Sequence, residues 1–172
     1  NLKLLLKNIN LNDCQDLTNV ITNPLSNHTG LSNFKYGSSI EGGALSAFGV
    51  GYGYDGKRIE NNLDLNVIGF SLDKMISNKL INIIPNIVKL DVDGIEHIII
   101  EGGKETLTHP DCKSILVEVN DNFEEQANKV ESLLSSYGFT LRDKLHGEMQ
   151  NNSLNFGGTY NQIWVKNNYE ML

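Results

Sequence analysis

Three acidic residues, Asp91, Asp93 and Glu96, are grouped around Gly94 in the stretch "IVKLDVDGIEHIIIEGG". The apolar residues before them predict a buried strand covered on both faces, and the residues from Gly94 to the glycine pair at 102–103 predict a helix. In an open α/β sheet the ligand crevice lies outside the carboxyl ends of parallel strands. The spacing therefore indicates that Asp91 or Asp93 faces a ligand. For Asp93 the alternative is a structural role as the cap of the helix.

Two further side chains are candidates for the same edge of the sheet. Glu118 lies in the next apolar strand, "ILVEVND", and neighbouring parallel strands end at one edge. His146 belongs to the loop between the last two predicted strands, from which it can reach over the strand ends; a surface position is the alternative. His97 falls opposite the apolar stripe of its helix, so a surface position is predicted for it.

Three short motifs do not indicate a site. The segment "GYGYDG" at 51–56 matches GxGxxG, but neither a strand before it nor a helix after it is predicted, so it is interpreted as a loop. A calcium loop aligned on "DVDG" would place Lys89 and Ile100 at its two end positions, where oxygen ligands are needed. His109 and Cys112 form an isolated HxxC, which is too little for zinc. No metal site is predicted from these motifs.

The remaining pattern supplies the elements that would position these residues. Helices are predicted at 1–13, after a Ser71 cap, and at 121–138, where Asp121 or Asn122 is the expected cap and Gly138 the stop. A long loop or hairpin is predicted at 37–56. Because strands and helices alternate from residue 63 onward, the fold class is α/β. The other predicted strands are "LTNVITN" (17–23), "GLSNFKYG" (30–37), "LDLNVIGF" (63–70), "FTLRDK" (139–144) and "YNQIWVK" (160–166).

Length and charge restrict the function classes. The chain has 172 residues, the size of one domain, and its net charge of −7 without a basic cluster argues against nucleic acid as a partner. No apolar stretch approaches the roughly 20 residues of a membrane span, so a membrane partner is not expected. Cys14 and Cys112 match no CxxC or zinc spacing and predict reduced thiols in a cytoplasmic protein, with a disulfide between them as the alternative.

The sequence resembles the FkbM family of S-adenosylmethionine-dependent methyltransferases. That family's usual pattern is K-I-D-V-E-G-x-E, a helix, and then G-G or G-A. The upstream segments "NLKLLLKNINLND", "NPLSNHTG" and "GFSLDKMI" also resemble family segments in their order and spacing. The residues that occupy the pattern here are Lys89, Asp91, Asp93, Gly94, Glu96 and Gly102, with Asp93 one carbon shorter than the usual Glu.

The resemblance implies a Rossmann-like class I methyltransferase sheet, mostly parallel. Its last strand, "YNQIWVK", would insert antiparallel beside the strand that follows the helix at Glu125. The family's first two strands, with the glycine-rich cofactor loop and the ribose-binding acid, would lie before Asn1, so residues 1–172 are interpreted as a single, incomplete domain. By the same resemblance Leu25, Ser26 and Asp91 would contact the cofactor.

The implied activity is S-adenosylmethionine-dependent O-methylation of a hydroxyl on a sugar or glycan, or on a secondary metabolite. Asp91 would orient the cofactor or accept the hydroxyl proton, with Glu118 and His146 as the other catalytic candidates. Alternatively, Asp91 and Glu118 would share a divalent cation that lowers the pKa of the hydroxyl. A non-enzymatic Rossmann-like binding or assembly module without the cofactor loop is the competing interpretation.

Overall fold

A computed structural model describes residues 1–38, 40, 43–60, 63–147 and 156–169. Parts of two predicted loops, at 39, 41–42 and 148–155, lie outside these residues. The helices are α1 (Leu2–Leu11), α2 (Leu72–Ser77), α3 (Glu96–Glu101), α4 (Lys104–Thr108) and α5 (Glu124–Ser136), with a short 3₁₀ turn at Gln15–Leu17. The strands are β1 (Gly30–Lys35), β2 (Ala47–Phe48), β3 (Asp64–Gly69), β4 (Ile87–Leu90), β5 (Ser114–Asn120), β6 (Phe139–Leu145) and β7 (Thr159–Lys166).

The larger sheet has the strand order β4-β5-β7-β6. β4 and β5 are parallel, with Leu90 opposite Val117, and β7 lies antiparallel between β5 and β6. The predicted antiparallel insertion of the last strand is therefore confirmed. The mixed α/β class is confirmed as well, because helices α3, α4 and α5 connect or flank these strands.

The prediction of a mostly parallel sheet is wrong for the described strands. β4 with β5 is the parallel pair, whereas both pairings of β7 are antiparallel. Strands β1, β2 and β3 form a separate antiparallel sheet of order β2-β1-β3 rather than joining the larger one. Strand direction depends on which neighbours supply hydrogen bonds, and apolar patterning within one strand carries no information about that.

The strand predicted at 17–23 is also wrong. Leu17 ends the 3₁₀ turn, residues 18–23 have no strand pairing, and one parallel bridge follows between Leu25 and Phe70. Val20 and Ile21 stay exposed. An apolar run has strand geometry only where a neighbour satisfies its backbone groups, and no described strand lies beside this one.

The main core lies between the larger sheet and the helices α3 and α5, which cover one face of that sheet. Ile115 and Val117 of β5 are fully buried in the cluster that also contains Ile100 of α3 and Leu134 of α5. β4 departs from its prediction, because Ile87 is 72% exposed. Among the described strands β4 pairs with β5 alone, so no described strand lies along its other edge.

Helix ends match the sequence in part. Ser71 caps α2 as predicted, its hydroxyl accepting the Lys74 N–H at 3.2 Å. α5 stops before Gly138, whose φ is +83°. The predicted Asp121 or Asn122 cap is wrong, since Phe123 occupies the cap position without a side-chain hydrogen bond.

In the described part of the chain, no helix combines the length and apolar character that crossing a membrane requires.

Candidate functional site

The three carboxylates lie in a turn between β4 and α3, residues 91–96, here named the acid turn. Its backbone is left-handed at two successive residues, with φ +44° at Asp93 and +113° at Gly94. A Cβ at Gly94 would lie 2.6 Å from the carbonyl oxygen of Gly53. Glycine is therefore required at this position both by conformation and by the close approach of the 53–54 backbone.

Glu96 holds the acid turn from inside. Its carboxylate is 1% exposed and accepts the N–H groups of Val92 and Gly94, each at 3.1 Å, together with a short hydrogen bond from the Gln126 side chain. Burial raises the pKa of Glu96 to about 7, against the opposing effect of these donors. Because its oxygens are occupied by backbone and amide donors, Glu96 is a structural carboxylate.

Asp93 faces the segment at residues 43–46 rather than the helix. Its Oδ2 accepts the N–H groups of Leu45 at 2.7 Å and Ser46 at 3.3 Å. The predicted role of Asp93 as a helix cap is therefore wrong: Ile95 is the cap residue of α3, without a side-chain cap bond. The left-handed conformation directs the carboxylate away from the helix. Burial raises the pKa of Asp93, and its two backbone hydrogen bonds act in the opposite direction.

Asp91 is the carboxylate of the turn that pairs with a side chain at the cavity. It follows the last residue of β4, is 48% exposed and makes a short ion pair with Lys89. Both side chains line a cavity of about 870 Å³, here named the site cavity. The other polar lining residues are Asn1, Asn23, Tyr36, Ser38, Ser46 and Asp93, and the apolar ones include Leu25, Phe34, Phe48, Leu90, Ile95 and Ile99.

A family model, the methyltransferase FkbM domain, matches residues 1–141. The chain belongs to the FkbM methyltransferase family. The match covers α1 through the start of β6 and includes the acid turn, so the resemblance inferred from the sequence is confirmed and the chain is a methyltransferase. Comparisons with curated proteins and with solved structures found no match.

Glu118, within the matched residues, and His146, beyond them, lie toward the same sheet edge as Asp91. Leu90 is opposite Val117, so the next residues, Asp91 and Glu118, are neighbours at the strand ends. Asn161 of β7 lies opposite Glu118 of β5 on one side and opposite Leu145 of β6 on the other. His146 follows Leu145, so it lies about three strand spacings, or roughly 14 Å, from Asp91. Neither Glu118 nor His146 is among the residues that line the site cavity.

His146 is exposed and packs on an aromatic ring. Its ring centroid lies 4.0 Å from that of Tyr160, and its Nδ1 lies 3.1 Å from the Thr159 carbonyl oxygen. These contacts hold the imidazole against β7. The surface position considered from the sequence is therefore the one this structure shows.

The two further residues that the resemblance assigned to the cofactor have different positions. Leu25 lines the site cavity. Ser26 is buried behind it: its N–H donates to the Phe70 carbonyl oxygen, and its hydroxyl lies 3.3 Å from His28 Nδ1. A Cβ at Gly102 would lie 2.2 Å from the Ser26 carbonyl oxygen, so Ser26 packs against the junction of α3 and α4.

His97 contradicts its predicted surface position. It is 3% exposed, and its ring makes an edge contact with Phe123, with centroids 6.3 Å apart. The apolar stripe of α3 lies in the core. Its adjacent face is covered by α5 and by Phe123, the residue before α5, so both faces of this short helix are buried. Burial lowers the pKa of His97 and favours the neutral imidazole.

Among the described residues, no three His, Cys, Asp or Glu side chains are grouped to hold a metal ion.

The sequence did not assign roles to Lys89 and Ser46, which lie at the cavity beside Asp91 and Asp93. Lys89 was detectable as part of the family pattern. Ser46 had no such signal, because it reaches the acid turn from a loop 47 positions away.

Proposed function

We propose that the chain is an S-adenosylmethionine-dependent O-methyltransferase acting on a hydroxyl of a sugar or glycan, or of a secondary metabolite. One observation carries the proposal: the Asp91 carboxylate lies at the carboxyl end of β4 and lines the site cavity. Asp93 is hydrogen-bonded to the 45–46 backbone, and Glu96 is buried within the turn. Asp91 is therefore the carboxylate of the turn best placed to meet a ligand.

The chemistry of the cavity fits the cofactor. S-adenosylmethionine carries an ammonium group and a sulfonium, which a carboxylate attracts, and an adenine, which apolar walls accommodate. Asp91 supplies the carboxylate, and Leu25, Phe48 and Ile95 supply apolar surface in the same cavity. When bound, the cofactor supplies an electrophilic methyl group.

Asp91 would act as the general base of the transfer. An acceptor hydroxyl beside Asp91 gives its proton to the carboxylate as the hydroxyl oxygen takes the methyl group, so a C–O bond replaces the C–S bond and the proton remains on Asp91. Lys89, from the same strand, would orient the carboxylate through their ion pair. The rest of the rate enhancement over the uncatalysed transfer comes from holding the hydroxyl oxygen in line with the methyl group.

A hydroxyl-rich acceptor suits the polar part of the cavity. The rings of Phe34 and Tyr36 pack together with centroids 4.9 Å apart and lie in the cavity wall beside Ser38 and Ser46. Aromatic surface with nearby hydroxyl and amide groups matches a sugar, whose ring has apolar C–H faces and polar edges. A small sugar or glycan is therefore the acceptor class we favour.

The two free cysteines support a cytoplasmic location for the protein.

We also propose that residues 1–172 form part of one Rossmann-like domain that two further strands extend beside β4. Two observations support this: among the described strands β4 pairs with β5 alone, and no residue of α1 is buried, with Leu4 54% exposed. An unpaired strand edge and an uncovered apolar helix are features that a complete domain avoids. Membership of the methyltransferase family favours this enzyme over the non-enzymatic module.

Methyl transfer is tested with S-adenosylmethionine labelled on its methyl group and a panel of methyl glycosides of hexoses, 6-deoxyhexoses and pentoses. The proposal predicts labelled product with the methyl group on oxygen, identified by NMR. The assay is run with this chain and with the chain extended upstream in its reading frame. Cofactor binding without transfer to any hydroxyl compound, or transfer to nitrogen alone, would contradict O-methylation.

A further inference from the structure

Residues 43–46, here named the strap, form part of the cavity wall and are held at several points. Gly43, Ala44 and Ser46 line the site cavity. The Asn1 side chain donates to the Gly43 carbonyl oxygen at 3.2 Å, and the Ser46 hydroxyl accepts the Gly37 N–H at 3.3 Å. The strap leads directly into β2, whose two residues are 1% exposed.

The contact between the strap and the acid turn is made by one carboxylate oxygen. Asp93 Oδ2 accepts two consecutive backbone N–H groups, those of Leu45 and Ser46. Leu45 has φ +64°, a conformation that a leucine rarely adopts without support from its surroundings. A charge-assisted hydrogen bond to each N–H supplies such support. Asp93 therefore opposes the tendency of the strap to relax.

The three carboxylates of the acid turn thus have different partners. Glu96 fixes the backbone of the turn, Asp91 lines the cavity, and Asp93 is hydrogen-bonded directly to the strap. The cavity wall formed by the strap is consequently tied to the same rigid turn that carries the proposed general base. A shift of the strap would change the space beside Asp91 without moving Asp91 itself.

We infer that Asp93 is a positioning residue that holds the strap and thereby sets which acceptor fits beside Asp91. The inference concerns selectivity and rests on the proposed function. It assigns to Asp93 no contact with the reacting atoms. Its loss should alter the relative use of acceptors of different shape more than the transfer step itself.

Two substitutions separate the carboxylate from the backbone conformation. Asp93→Gly removes the acceptor and adopts φ +44° without strain, and Asp93→Asn keeps an amide oxygen and also tolerates left-handed conformations. Residue-resolved amide exchange should show Leu45 and Ser46 exchanging about 10- to 100-fold faster in Asp93→Gly, with Asp93→Asn intermediate. Asp91→Asn removes a charge from the same turn and should leave these two rates unchanged.

The second measurement is the ratio of kcat/KM between the two best methyl glycosides of the panel. This ratio is unaffected by the fraction of folded protein, so a general loss of structure would not move it. Asp93→Gly should change it by about fivefold or more, with recovery in Asp93→Asn, because differences of about 1 kcal/mol between acceptors are typical of altered pocket contacts.

Each outcome decides the inference. Wild-type exchange at Leu45 and Ser46 in Asp93→Gly would overturn it, as would faster exchange with an unchanged kcat/KM ratio, which would make the contact merely structural. If neither this chain nor the chain extended upstream methylates any member of the panel, the proposed function fails. The exchange rates then still decide whether Asp93 holds the strap.

Discussion

Replacing Glu96 with Gln tests how the acid turn is held, because it removes the charge of a buried carboxyl while keeping its size. The pKa of Glu96 is raised from 4.5 to about 7 in the folded chain. Between these values the folded state binds more protons than the unfolded state, so this group's contribution to stability is fully present below pH 4.5 and is lost as the pH rises through 7. Glu96→Gln has no proton to lose in this range.

The size of the effect follows from the two pKa values. For a group that titrates at 4.5 when unfolded and about 7 when folded, the free energy of unfolding falls by about 2 to 3 kcal/mol between pH 5 and pH 8. Other groups also titrate in this range. His97 has a lowered pKa and acts in the opposite direction, but it is present in both proteins and cancels in their difference.

The assay is urea unfolding of wild type and Glu96→Gln at pH 5 and pH 8. Gln places one N–H₂ group against the donors of Val92, Gly94 or Gln126, so it should lower stability by about 1–3 kcal/mol at pH 5. The difference in stability between the two proteins should then shrink by about 2 to 3 kcal/mol, or reverse, at pH 8. If the free energies of unfolding of the two proteins changed equally between pH 5 and pH 8, the reasoning would be refuted, because Glu96 would then have the same pKa in the folded and unfolded states.

Gly94→Ala should cost about 3 kcal/mol or more in thermal or urea unfolding, because its Cβ would meet the Gly53 carbonyl oxygen at 2.6 Å in a left-handed conformation. Gly138→Ala is the matched control, left-handed with open space around it, and should cost about 1 kcal/mol; equal losses would exclude the close approach at Gly94. Ser71→Ala should cost about 1 kcal/mol through the Lys74 N–H, and Ser71→Asp should restore it; no change in either would show that the cap contributes nothing.

Elements with a strong internal period were predictable from the sequence. The apolar spacing of α5 and its stop at Gly138, the strands β5 and β7, and the Ser71 cap of α2 were predicted from local patterns and are present in the structure. The grouping of acids at the carboxyl end of β4 was also predictable, because an apolar strand followed by a glycine turn marks that end.

Features that depend on distant neighbours were not predictable. A helix cap was one of the two roles predicted for Asp93, whereas its partners, Leu45 and Ser46, come from 48 and 47 positions earlier in the chain. His97 was placed on the surface by the stripe of its own helix, but Phe123 beside α5 covers it. Helical period identifies the more apolar face and cannot report a second element that packs on the other.

The separation of roles within the acid turn is a matter of geometry. Three carboxylates within six residues look equivalent in sequence, and each has a different partner in the fold: the buried amides for Glu96, the strap for Asp93 and Lys89 for Asp91. The backbone between them, left-handed at Asp93 and Gly94, is part of the geometry that gives each carboxylate its own partner.

The central claim is that Asp91 acts at the reacting hydroxyl, and methyl transfer by Asp91→Asn tests it most directly. Asp64→Asn is the matched control, because Asp64 is 43% exposed, pairs with Lys35 and is not among the residues that line the site cavity. With the best glycoside acceptor, Asp91→Asn should lower kcat by roughly 100-fold or more at an unchanged melting temperature, and Asp64→Asn should keep wild-type kcat. Wild-type turnover per folded molecule in Asp91→Asn would contradict the account.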